Sequence, residues 1–171
     1  MKTRLLFWKF FASSTVVLAL CMPAEARRLK EGDLFPSPTL QSISKVPYDK
    51  KEHKNRVVVY DLGASWTEDA AKAMSYFQQL QAKYQARGLK IVIINLDESK
   101  EKALEYTRLI NKDLVVLYDE GQKFARSIKP KGFPMAYIVD RKGVVRAMVK
   151  DYCEHEFEYL EQKISAVLDA P

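Results

Sequence analysis

The chain holds two cysteines and two histidines, Cys21, Cys153, His53 and His155. Thiols and imidazoles are the usual nucleophiles, bases and soft metal ligands, so their scarcity narrows the chemistry. Two cysteines build neither a disulfide scaffold nor a four-thiolate zinc site. Cys153 and His155 alternate in Asp151-Tyr152-Cys153-Glu154-His155, and alternate residues after a strand can share a face. Two ligands rarely hold a transition metal, and His53 sits in a polar arm, so no metal and no cofactor is assigned. A second group of reactive types is Asp61 with Gly63-Ala64-Ser65-Trp66-Thr67-Glu68-Asp69-Ala70. A threonine hydroxyl needs a positioned base to act as a nucleophile, and no histidine is near it in sequence. Ser65 and Glu68 fit a capping box, or Thr67 caps a helix opening with Glu68 and Asp69. Those acids complement the positive end of the helix dipole and disfavour a thiolate or phosphate there.

The elements that position these residues alternate. Val57-Val58-Val59-Tyr60 is a continuous β-branched run, the mark of a strand buried on both faces. Ala70, Ala73, Met74, Phe77, Leu80 and Tyr84 follow at helical spacing, with Gly88 as the stop. Residues 89–94 predict a second buried strand, 99–111 a helix, and 114–118 a third strand. A short helix through Phe124 and Ile128 precedes Pro130. Residues 135–139 and 144–149 read as strands joined by the tight loop Asp140-Arg141-Lys142-Gly143. Phe157, Leu160, Ile164, Val167 and Leu168 mark a terminal amphipathic helix. Two β-α units followed by a hairpin and a helix give an α/β fold, its central sheet parallel at first and antiparallel at its end. Gly32, Pro36, Pro38 and Pro47 punctuate residues 27–56, an irregular N-terminal extension with room for a short hairpin at most.

This order, with Gly132-Phe133-Pro134 ahead of the hairpin, resembles the thioredoxin fold. Glu31-Gly32-Asp33 and Pro36-Ser37-Pro38 make the chain more similar to the exported TlpA-like thiol-disulfide proteins and the wider redoxin group. The likeness covers nearly all of residues 29–168. It implies a W-C-x-x-C motif where the first core strand meets its helix. Trp66 matches the family tryptophan, but Thr67 stands at the nucleophilic cysteine and Ala70 at the resolving one. Asp61 falls at the spacing of the family's buried acid, and Pro134 at the proline that faces the cysteines. Exchange needs one thiolate to attack and a second thiol to resolve the mixed disulfide. Neither motif position supplies one, so no catalytic residue is assigned there, and a redoxin-type peroxidase lacks its cysteine for the same reason.

The resemblance instead implies a binding rim of Trp66, Phe133, Pro134 and Tyr152, where an extended protein or peptide segment pairs with backbone beside the proline. Cys153 has two readings. It is a small, semi-buried residue at a strand-helix junction, or a single reactive thiol that pairs with another protein or a second copy. On the second reading the chain is a thiol-disulfide oxidoreductase or redoxin acting through Cys153.

The N-terminus addresses the chain. Lys2, Arg4 and Lys9 precede an apolar core over 10–20, followed by Cys21-Met22-Pro23-Ala24-Glu25-Ala26. That is the order of a secretory signal peptide, and its core is shorter than the roughly 20 residues that span a bilayer. Cleavage after Ala26 leaves residues 27–171 as one thioredoxin-like domain, periplasmic or secreted, with no transmembrane segment. Lipoprotein anchoring at Cys21 is the alternative, disfavoured by bulky Leu20 before the cysteine. The leader carries three of the 28 basic residues and one of the 22 acids, so a net charge of +6 becomes +4. The densest basic stretch, Lys45, Lys50, Lys51, Lys54 and Arg56, is interleaved with Asp49 and Glu52. It reads as a solvated loop, and no nucleic-acid partner is assigned.

Overall fold

The computed structural model describes residues 28–44, 46–67, 70–109 and 114–170. Its six strands are β1 (Gln41–Ser42), β2 (Val57–Gly63), β3 (Leu89–Asn95), β4 (Val115–Tyr118), β5 (Met135–Val139) and β6 (Val145–Lys150). They form one sheet in the order β1-β4-β3-β2-β5-β6. The β2-β3 and β3-β4 pairs are parallel, whereas β5 runs antiparallel to β2 and β6 antiparallel to β5. This is the mixed, thioredoxin-like sheet that the sequence predicts.

The helices are α1 (Ala70–Tyr84), α2 (Lys100–Tyr106), α3 (Lys123–Ile128) and α4 (Glu154–Asp169). All seven residues of β2 are buried, because both faces of the sheet are covered. Val57 and Val59 meet Met74 and Phe77 of α1 and Leu160 and Ile164 of α4 in one core. Val58, Tyr60 and Leu62 point the other way, toward Ile128 of α3 and Phe35 of the arm. The period-two alternation of a strand produces this division. Each large apolar side chain it buries contributes about 1.5–3 kcal/mol.

Two segments depart from the sequence expectation. The helix expected over 99–111 is shorter: α2 ends at Tyr106, and a 3-10 turn follows over Thr107–Leu109. Ser99 caps α2 by accepting from Lys102 N. The arm, expected to hold at most a hairpin of its own, pairs instead with both edges of the sheet. Leu34 bridges Val144 beside β6, and β1 pairs antiparallel with β4. Between these contacts Phe35 stacks on Tyr60 at 4.3 Å, so the extension closes the second core rather than hanging from it.

Candidate functional site

Parallel strands direct their C-terminal ends to one end of a sheet, and the loops there form the usual site of an α/β domain. Here β2 ends at Gly63 and the chain turns through Ser65, Trp66 and Thr67 before α1. The Thr67 hydroxyl donates to the Ala64 carbonyl at 2.7 Å, and the Thr67 N–H donates to the same oxygen at 3.1 Å. Thr67 is only 9% exposed, so its oxygen is enclosed and spent on the turn. The hydroxyl points back along the chain toward the end of β2. Ala70, at the other motif position, opens α1 and packs against the first core.

Ser65 belongs to a clamp; Glu68, its partner in the expected capping box, lies outside the described residues. Its Oγ donates to Asp97 Oδ1 at 2.7 Å, and its N–H donates to the two Asp97 oxygens at 3.1 and 3.3 Å. Asn95 Nδ2 donates to Asp97 Oδ2 at 2.8 Å, and the Asp97 N–H returns a bond to Asn95 Oδ1. Asp97 is 1% exposed, so its oxygens are satisfied by these donors and not by bulk water. Glu68 and Asp69, the acids read as complementing the helix dipole, lie outside the described residues. The sequence reading missed Asn95 and Asp97. Their signal was two polar residues, one on either side of Leu96, at the end of a run of buried β-branched ones.

Beneath the turn lies Asp61, also 1% exposed. Burial pushes its carboxyl up to about 7, against the opposing effect of a hydrogen bond from the Tyr152 hydroxyl. A Cβ on Gly63 would stand 3.1 Å from Asp61 Oδ2 and 3.6 Å from the Tyr106 hydroxyl oxygen. Glycine therefore leaves room for the carboxylate at the strand end. Tyr152, expected on the binding rim, is 4% exposed and points into the core, where it stacks on Phe157 and holds Asp61. The rim assignment of Tyr152 is corrected accordingly.

The other rim residues do come together. Trp66 is 52% exposed, and its ring meets Phe133 edge-on at 6.2 Å. The Phe133-Pro134 peptide bond is cis, and the Pro134 carbonyl accepts from Asp151 N at 3.3 Å, tying the loop to the end of β6. The main chain of Lys131, Gly132 and Phe133 makes no hydrogen bond among the described residues. An aromatic pair thus stands beside unpaired backbone.

Cys153 is exposed, which corrects the semi-buried placement. It occupies the cap position of α4, where its carbonyl accepts from Glu156 N and Phe157 N and its side chain makes no capping bond. His155 is exposed as well, and no group of three metal-ligating side chains exists among the described residues. Cys21 lies outside them.

The sequence profile of the AhpC/TSA family matches residues 32–148. The chain belongs to that family. It is 21% identical over 143 residues to the thiol-disulfide oxidoreductase ResA of a Bacillus cereus strain, covering 83% of each chain. A Chlorobium tepidum protein assigned as the thiol:disulfide interchange protein DsbE superposes with a TM-score of 0.76 at 28% identity, over 82% of this chain and 99% of that one. A protein of Bacteroides thetaiotaomicron assigned as a disulfide isomerase superposes at 0.72 with 21% identity, over 83% and 92% of the two chains. The fold is thioredoxin-like, and the relatives that share it are named for thiol-disulfide exchange. Within this family the present chain carries Thr67 and Ala70 at the turn that opens α1.

Proposed function

We propose that this AhpC/TSA-family chain is an exported, non-catalytic thioredoxin-like protein that binds an extended protein or peptide segment through Trp66, Phe133 and Pro134. One observation carries the reading. An exposed tryptophan rests on Phe133 beside three residues of unpaired main chain, while the turn below holds an enclosed hydroxyl and a methyl group. An added strand takes its affinity from main-chain bonds and its selectivity from flanking pockets, and neither needs a thiol. Large aromatics at such a rim supply contact area at low entropic cost. The leader-like residues 1–26 support export. Among the described residues no helix is long and apolar enough to cross a membrane.

Co-purification of the tagged, exported protein against Trp66→Ala tests this reading. Loss of the associated proteins from the variant is expected, and an unchanged set removes the rim from the mechanism. Both proteins carry Cys153→Ser, so that only non-covalent partners are counted.

A second reading rests on Cys153, the free thiol among the described residues, exposed at the start of α4. A lone thiol forms a mixed disulfide with another protein or a second copy, with no internal partner to resolve it. Non-reducing electrophoresis of the exported protein distinguishes the two: a persistent monomer with a free thiol counts against covalent pairing.

A further inference from the structure

The opposite end of the sheet carries a feature the rim does not use. Two cavities, of about 220 and 450 Å³, share the β5-β6 loop residues Asp140, Arg141 and Lys142 as a common wall. Lys50 and Lys54 line the smaller one, and Arg146 and Lys163 the larger. The basic stretch read from sequence as a solvated loop therefore meets cations contributed by a hairpin nearly ninety residues further on. Asp140 is the one acid lining either cavity, and it is already engaged. Its Oδ2 accepts from Arg146 Nε at 2.7 Å, and its Oδ1 accepts from the N–H groups of Lys142 and Val144.

The remaining cations divide by task. Arg141 donates to the Leu168 and Ala170 carbonyls at 3.0 Å each and so closes the C-terminus of α4. Lys163 lies 5.0 Å over the Tyr159 ring. Lys50, Lys54 and Lys142 are exposed and make no ion pair among the described residues. They surround the smaller cavity, whose floor is Val58, Val139, Phe35 and Tyr60. His53 closes one side, its Nδ1 3.0 Å from the Tyr60 hydroxyl. Burial, then Lys90, push the His53 imidazole down to about 4, Arg56 adds to this, and Glu52 and Asp49 oppose it. Asp49 and Glu52 belong to the same 3-10 turn but do not line the cavity.

We propose that this cleft is a binding site for a phosphoryl anion. Three lysines line a pocket whose one carboxylate is already paired with Arg146, a charge balance that suits a phosphoryl group better than a carboxylate. The aromatic and aliphatic floor receives the organic part that bears the phosphate. Two sources share this chemistry, the headgroup of an anionic phospholipid and a free phosphorylated small molecule. The site meets the N-terminal half of β2 and the C-terminal end of β5, away from Trp66, so occupancy leaves the rim open.

The test titrates the purified protein with inorganic pyrophosphate while following the His53 imidazole by NMR. In parallel it measures sedimentation with phosphatidylcholine vesicles, with and without phosphatidylglycerol. Saturable pyrophosphate binding that raises the His53 pKa from about 4 is expected. The pair Lys50→Glu and Lys142→Glu should weaken binding by roughly tenfold or more, whereas Trp66→Ala leaves it unchanged. Vesicle binding that requires phosphatidylglycerol and is lost in the same lysine pair assigns the headgroup. Pyrophosphate binding without vesicle binding assigns the free phosphate. The proposal is overturned if neither probe binds. It is equally overturned if Lys129→Glu with Lys131→Glu, at the other end of the sheet, weakens binding as much as the Lys50 pair.

Discussion

Tyr152 donates its phenolic hydroxyl to the carboxylate of Asp61, 91 residues earlier in the chain. The bond joins the end of β2 to the segment between β6 and α4, directly below the turn that carries Thr67. Asp61 is 1% exposed and held by Tyr152, so its protonation bears on stability.

That protonation gives the first prediction. Folded Asp61 keeps its proton up to about 7, whereas its ordinary value is 3.8. Between those values the native state binds more protons than the unfolded one, so stability falls as pH rises. The contribution is fully present below the ordinary value and is lost as pH climbs through the folded one. The full excursion is on the order of a few kcal/mol. Urea unfolding at pH 4 and pH 8 should show the wild type losing stability relative to Asp61→Asn. Parallel pH profiles for the two proteins would contradict this.

A second prediction concerns the Asp97 clamp. Asp97→Ala leaves the buried Asn95 amide and the part-buried Ser65 N–H and hydroxyl without their acceptor, at a cost of about 2 kcal/mol or more. Ser65→Ala removes one of those bonds and should cost about 1 kcal/mol. Urea midpoints measure both. Equal effects would mean that Asp97 does not organise the turn.

The third prediction follows from the exposure of Cys153. An aromatic disulfide reagent should label it in native buffer on the same timescale as in urea. Protection that lifts only on unfolding would place the thiol inside the fold and remove it as a pairing site.

The sheet was legible because its strands are buried on both faces, and continuous runs such as Val57 to Tyr60 have few other uses. The paired hairpin and α4 followed from turn residues and helical spacing. The clamp was not legible, since Ser65, Asn95 and Asp97 meet only after β2 and β3 lie side by side. Tyr152 misled for a local reason. Val145, Ala147 and Val149 alternate inward along β6, and continued alternation points residue 152 outward. Asp151 adopts a positive φ of 54°, which breaks that alternation and turns Tyr152 into the core. Trp66 and Phe133 were readable as a pair through the resemblance to the thioredoxin fold, which implies one rim for the tryptophan and the Gly-Phe-Pro loop.

The central proposal is that this chain keeps the frame of a thiol-exchange protein without exchanging disulfides. The most direct measurement is insulin reduction by dithiothreitol in the presence of wild type, Cys153→Ser and the Thr67→Cys/Ala70→Cys double variant. The account predicts that wild type matches the uncatalysed rate, while the double variant accelerates it because two thiols now occupy the turn. Catalysis by wild type that disappears in Cys153→Ser would contradict it.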